Sequence, residues 1–187
     1  MLPRLLGLTA FALALHAEDP GADRVRAKLD LIKDEIASPG STVVFLPADV
    51  NAWVREELAK AVPMGIRETR VSFGADTLEM SALIDVRKIA EKDGKQINAI
   101  AAMLLEGERP VKIALRSESA GGRLTIIPTS VEISGLAVSG AVLDLLVRAV
   151  LHPLYPKAKV NQAFDLGHRM ERVSVQPSGI QVLIKRD

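Results

Sequence analysis

The chain has 187 residues, no cysteine, three histidines and almost balanced charge, 24 Lys and Arg against 23 Asp and Glu. Without cysteine there are no disulfides, thiolate zinc sites or cysteine nucleophiles, so the fold must rest on its hydrophobic core. Balanced charge and an aromatic content of 3% leave no electrostatic or stacking footprint for nucleic acid.

Residues 1–17 read as an export signal. Arg4 supplies a basic n-region, Leu5 to Leu15 is weakly polar to apolar throughout, and Ala14-Leu15-His16-Ala17 offers small residues for cleavage before Glu18. The segment is too short to anchor in a bilayer, which predicts a periplasmic or secreted protein. Arg4 is its only charged residue, so the remainder carries 23 residues of each sign. That remainder divides into an N-terminal amphipathic helix and linker, 18–40, and a domain over 41–187, a length ample for one core.

Val25, Leu29, Ile32 and Ile36 recur at helical spacing, and Ser38-Pro39-Gly40 stops the run, which predicts a helix over about 22–37. A short β-prone run, Thr42 to Leu46, precedes Pro47, a residue suited to a first helical turn. Val50, Trp53, Val54, Leu58, Ala61 and Val62 then define a second helix ending at Pro63. Beyond Met64-Gly65 the period changes to two. Val71 and Phe73, a Gly74-Ala75-Asp76 turn, and Leu78, Met80, Ala82, Ile84 and Val86 predict a hairpin with one apolar face. Ile97, Ile100, Ala101 and Leu104 return to helical spacing, and Val111, Ile113 and Leu115 resume alternation.

After the Ser119-Ala120-Gly121-Gly122 turn, apolar residues fall on even positions at Leu124 and Ile126 but on odd ones at Val131 and Ile133. Ile127-Pro128 lies between the two phases, and proline cannot donate to a ladder, so a bulge or bend that curves the sheet is expected there. Val142, Leu145, Leu146, Ala149 and Val150 mark a further helix, and Arg172 to Gln176 with Ile180 to Lys185 a final hairpin. The sum is an α+β fold: a curved antiparallel sheet of about five or six strands wrapped against helices, in a single domain.

Catalytic constellations are scarce. No G-x-S-x-G occurs, and Ser139 reads as the N-cap of the Val142 helix. Ser119 with Gly121-Gly122 precedes a strand rather than a helix, so it is a hairpin turn and not a phosphate loop. Glu79 and Asp85 lie roughly 20 Å apart by strand rise, too far for paired acid–base work, and read as outer-face groups. Asp165 and His168 are near in sequence but lack a nucleophile. His152 and His168 lack metal-ligand spacing.

Two features invite a binding role. Trp53 can line a ligand cleft, meet a membrane surface or close the core. The segment Ile97 to Leu105 is apolar nearly all round, as in a doubly buried helix, a lid over a ligand or a lipid-touching surface.

The order of elements carrying Leu46-Pro47-Ala48-Asp49-Val50-Asn51-Ala52-Trp53, Gly65 to Phe73, Leu136 to Leu143, and Phe164-Asp165-Leu166 through Val182 resembles small exported bacterial domains of the LmeA-like and YpmS-like kind, relatives of tubular lipid-binding folds. The resemblance implies a curved sheet rolled against a long helix, enclosing a groove for acyl chains, with no cofactor and no enzymatic chemistry. The inward faces of the elements nominate Trp53, Val54, Leu58, Met80, Leu115, Ile126, Leu145, Leu146 and Val182 as lipid lining, with transient membrane contact possible by the same route. The alternative is a protein–protein interaction module of an envelope assembly, using the Val25-Leu29-Ile32-Ile36 stripe or the Ile97 to Leu105 helix. A hydrolase using Asp165 and His168 is the third reading.

Overall fold

The computed structural model describes residues 19–61, 65–85, 88, 107–139 and 160–186. Two helices come first, α1 (Pro20–Lys33) and α2 (Pro47–Ala61), separated by strand β1 (Thr42–Phe45). Each helix opens on a proline whose missing N–H is no loss in a first turn. Asp19 caps α1, its carboxylate accepting from Gly21 N at 2.9 Å. The helices pack closely because Gly21 presents no side chain: a Cβ there would stand 3.1 Å from the Ala52 Cβ.

A six-stranded antiparallel sheet follows. Strands β2 (Ile66–Phe73), β3 (Thr77–Asp85), β4 (Glu108–Ala120), β5 (Arg123–Ile133) and β6 (Leu136–Ala137) are adjacent in that order, and β7 (Phe164–Asp165) pairs with β5. The alternation read from the sequence holds, and register aligns the apolar residues across strands. Met80 lies opposite Ile113, and Ile113 opposite Val131; Ala82 aligns likewise with Val111 and Ile133. The outer face carries charge, with Lys112 Nζ 3.2 Å from Glu79.

The phase change in β5 is a bulge. Ala114 pairs with Ser130, but Leu115 pairs with Pro128, leaving Thr129 as the extra residue. One additional residue restores Leu124 and Ile126 to the face that Val131 and Ile133 occupy, so the sheet keeps one apolar side through the bend. A second bulge sits in β2, where Glu68 and Thr69 oppose Ala82 alone and Glu68 adopts a φ of 54°. The Gly121-Gly122 turn has positive φ at both central residues, the mirror turn that suits the right-handed twist of a hairpin.

The final hairpin does not extend this sheet. Strands β8 (Met170–Gln176) and β9 (Gly179–Ile184) join β1 in a separate three-stranded sheet of order β1, β9, β8. Its β8 edge is covered. Along β8, the carbonyls of Glu171 and Val175 accept from Gly122 N and Asp76 N at 2.7 and 2.9 Å, and Val173 N donates to the Ser119 hydroxyl at 2.9 Å. The turns of the large sheet thereby satisfy the outer edge of the small one. On the β1 side, Lys28 Nζ donates to Val44 O at 2.6 Å. Gly179 is obligatory at the β8–β9 turn, since its φ is +124° and a Cβ would fall 2.1 Å from Phe45 O.

One core joins all these layers. Val25 and Ile32 of α1, Val50, Val54 and Leu58 of α2, Phe45, Val182 and Ile184 of the small sheet, and the apolar face of the large sheet form one cluster. Among the described residues, no helix is long and apolar enough to cross a membrane. The expected signal (1–17), the Ile97 to Leu105 helix, the Ser139-capped helix and its Leu145 and Leu146 lie wholly or largely outside the described residues.

One expectation about the outer face is corrected. Glu79 is exposed as read, but Asp85 is buried. Its Oδ1 accepts from Lys88 N at 3.1 Å and its Oδ2 lies 3.3 Å from Lys88 Nζ, so both carboxylate oxygens are engaged by Lys88.

Candidate functional site

The apolar face of the large sheet is unevenly covered along its length. Toward the end of β3, Met80, Ala82 and Ile84, with Ile66, Val111, Ile113, Val131 and Ile133 beside them, retain no more than 7% exposure. Toward the other end, Val71, Phe73, Leu78, Leu115, Pro128, Ile126 and Leu124 are all half-buried. Both groups point to the same side of the sheet, so the difference is one of cover and not of orientation.

The residues nominated as lipid lining distribute over this gradient. Val54, Leu58, Met80 and Val182 lie in the central cluster, packed with the other core side chains. Trp53 and Leu115 are half-buried against that cluster, and Ile126 is half-buried on β5. The structure thus brings Val54, Leu58, Met80 and Val182 together in the core, with Trp53 and Leu115 at its margin.

The α1 stripe is divided. Val25 and Ile32 are buried, while Leu29 is 38% and Ile36 is 66% exposed. Leu31, Val44 and Leu46 are also exposed. Asp165 faces Arg123 across the β7–β5 pair, its carboxylate 3.7 Å from the guanidinium, and no ion pair joins it to His168 among the described residues.

A second region, polar in character, went unread in the sequence. A cleft of about 840 Å³ lies where the first turns of α1 and α2 meet edge strand β2, lined by Asp19, Arg24, Asp49, Asn51, Arg55, Glu68, Thr69 and Arg70 among others. Arg24 grips the buried Asp49 with two parallel bonds, Nη2 to Oδ1 at 2.6 Å and Nε to Oδ2 at 3.1 Å. This hydrogen-bonded pairing outweighs burial and holds the Asp49 carboxyl below the usual carboxylate range. Asn51 clips α2 to the sheet: its Oδ1 accepts from Val71 N at 2.7 Å and its Nδ2 donates to Val71 O at 2.8 Å. The amide thereby stands in for a neighbouring strand on the free edge of β2.

No family model, curated protein or solved structure matches the chain. Behind the cleft, Arg26 binds Glu56, with Glu57 at 3.2 Å, and Glu56 also accepts from Asp19 N at 3.0 Å. Arg26, then the Asp19 N–H, hold the Glu56 carboxyl below its ordinary range. These contacts bind α1 to α2. Among the described residues no group of three or more His, Asp or Glu side chains is placed to hold a metal.

Sequence reading missed the cleft because its charges sit at ordinary helical and strand positions. One signal was available: Asn51 stands within an otherwise apolar and charged helix, one turn after Pro47, where a side-chain amide has few intrahelical uses.

Proposed function

We propose that this protein is an exported, non-enzymatic lipid-binding protein that holds an acyl chain against the half-covered end of its apolar sheet face. The observation that carries the reading is the exposure gradient: aliphatic residues at Leu78, Leu115 and Ile126 face the same side as the sealed core yet stay half-buried. Each methylene removed from water contributes about 0.8 kcal/mol, so covering roughly ten methylenes supplies about 8 kcal/mol before ordering costs. No charged side chain is required for this, which agrees with a nearly neutral chain rich in aliphatic residues. The likeness of its element order to LmeA-like and YpmS-like domains points the same way.

Native mass spectrometry after gentle purification tests the reading, followed by titration with a fluorescent fatty acid and a fluorescent phospholipid. Co-purified lipid or saturable uptake is the expected result. Recovery of ligand-free protein that takes up neither probe overturns it.

A second reading, an envelope interaction module, is favoured by a separate observation. Leu29, Leu31 and Ile36 of the α1 region stay exposed, as do Val44 and Leu46. Leu29→Ser with Ile36→Ser is the informative pair, because Ile32 is buried and its loss would also weaken the fold. A stoichiometric protein partner, crosslinked in the absence of lipid and lost in that double variant, would select this reading over the first.

A further inference from the structure

The polar cleft beside β2 shares Val71 with the half-buried end of the sheet but is otherwise lined by other residues, and its hydrogen-bonding groups are unevenly satisfied. Its volume of about 840 Å³ falls within the roughly 300–1,000 Å³ of small-molecule sites. The acceptors are largely engaged. Both Asp49 oxygens are held by Arg24, one Asp19 oxygen accepts from Gly21 N, and the other faces Arg55 Nη2 at 3.4 Å. The Asn51 amide is committed to Pro47 O and to the backbone of Val71.

The donors are not exhausted. A guanidinium carries five N–H groups. Arg24 directs Nε and Nη2 to Asp49, and Arg55 makes one long contact. The exposed Arg70 side chain makes no hydrogen bond or ion pair with any described residue, and neither does the hydroxyl of Thr69, although Thr69 is only 6% exposed. The Thr69 hydroxyl is not sealed away from solvent, and with the exposed Arg70 guanidinium it offers donors along the lining of the cleft. Glu68 is the one acidic residue of the lining without a hydrogen bond or ion pair to a described residue; it lies exposed on the β2 bulge, its charge felt by Arg67.

We propose that this cleft binds a phosphate group, carried by a small phosphoester or by a lipid headgroup, through Arg70, the Thr69 hydroxyl and the uncommitted N–H groups of Arg24 and Arg55. A phosphate brings acceptors only, which is what a cleft with surplus donors lacks, and its oxygens match the fork of a guanidinium. Glu68 opposes the anion and sets the affinity from the other side.

The full chain is titrated with inorganic phosphate, with glycerol phosphate, and with vesicles of phosphatidylglycerol or of phosphatidylcholine. Backbone amide shifts of Thr69, Arg70 and Val71 report binding. Saturable shifts are expected, weakened about tenfold or more by Arg70→Gln and strengthened by Glu68→Gln. Lys112→Ala, on the outer face of β4, is expected to leave them unchanged. Saturation by glycerol phosphate without vesicle binding assigns a soluble phosphoester, and vesicle binding that depends on Arg70 assigns a headgroup. Absence of saturable shifts with every probe, or shifts indifferent to both Arg70→Gln and Glu68→Gln, overturns the proposal. Acyl-chain uptake is read separately with the fluorescent fatty acid, so failure of either site is seen independently of the other.

Discussion

The two ends of the apolar sheet face are built from the same residue types and differ in how deeply they are buried. At the Ile84 end, the strand residues belong to the cluster that also holds Val54, Leu58, Val182 and Ile184, and exposure falls to a few per cent, while β8 of the small sheet bonds the turns at the other end. At the Leu115 end, the same side of the same strands keeps half-buried aliphatic groups. Alternation in a strand therefore fixes which side a residue faces, while the reach of the covering elements fixes whether that side is sealed.

The largest effect expected from this contrast is on stability. Ile84→Ala removes a fully buried side chain from the sealed end and is expected to cost about 2–5 kcal/mol, whereas Leu115→Ala is expected to cost less than half as much. Urea unfolding of the two variants measures the difference; equal losses would mean that the two ends are equally packed. Gly179→Ala probes the β8–β9 turn where it meets β1 within the small sheet. Its φ of +124° and the 2.1 Å approach to Phe45 O lead to an expected loss of roughly 1–3 kcal/mol, with the Phe45 and Ile180 amide shifts displaced.

Asn51→Ala removes the clip between α2 and β2 and leaves the Val71 N–H without its acceptor. A loss of about 1–2 kcal/mol is expected, with faster hydrogen exchange at Val71 and little change at Ile113 in the interior of the sheet. The smallest effect concerns acid stability. Asp49 and Glu56 both have carboxyl groups held below their ordinary range. Their contribution is therefore present above the unfolded carboxylate value and is lost as pH falls through the lowered folded value. Asp49→Asn is expected to flatten the acid limb of a stability-against-pH curve, because its contribution no longer titrates there. An acid limb as steep as in the parent chain would show that the Arg24 pairing has no weight in folding.

Much of the fold was legible because its signals are local. Pro47 marks the start of α2, Gly74-Ala75-Asp76 and Gly121-Gly122 mark hairpin turns, and the even-to-odd change around Pro128 marks the bulge at Thr129. What escaped depends on distant partners. Nothing near Thr42–Phe45 records that it pairs with Gly179–Ile184, so the last hairpin read as part of one sheet instead of a second. The β2 bulge escaped because Glu68 carries no glycine to announce its positive φ. Asp85 read as an outer-face group by strand period, yet it is buried with its carboxylate on Lys88, a contact that strand period does not encode.

The candidate site was legible in part. Strand period placed Leu115 on the apolar face and phase change placed Ile126 there too, but period carries no measure of cover, so Leu58 and Leu115 looked alike. The cleft at Arg24, Asp49 and Arg70 joins three elements through contacts that no single stretch encodes.

The most direct test is a methyl-resolved NMR titration of the full chain with palmitic acid. Saturable shifts at the Leu78, Leu115 and Ile126 methyls, with those of Ile84, Val111 and Ile133 unmoved, are the expected result. No response at the first three at saturating fatty acid, or a response centred on the sealed end, would contradict acyl-chain binding at the half-covered end.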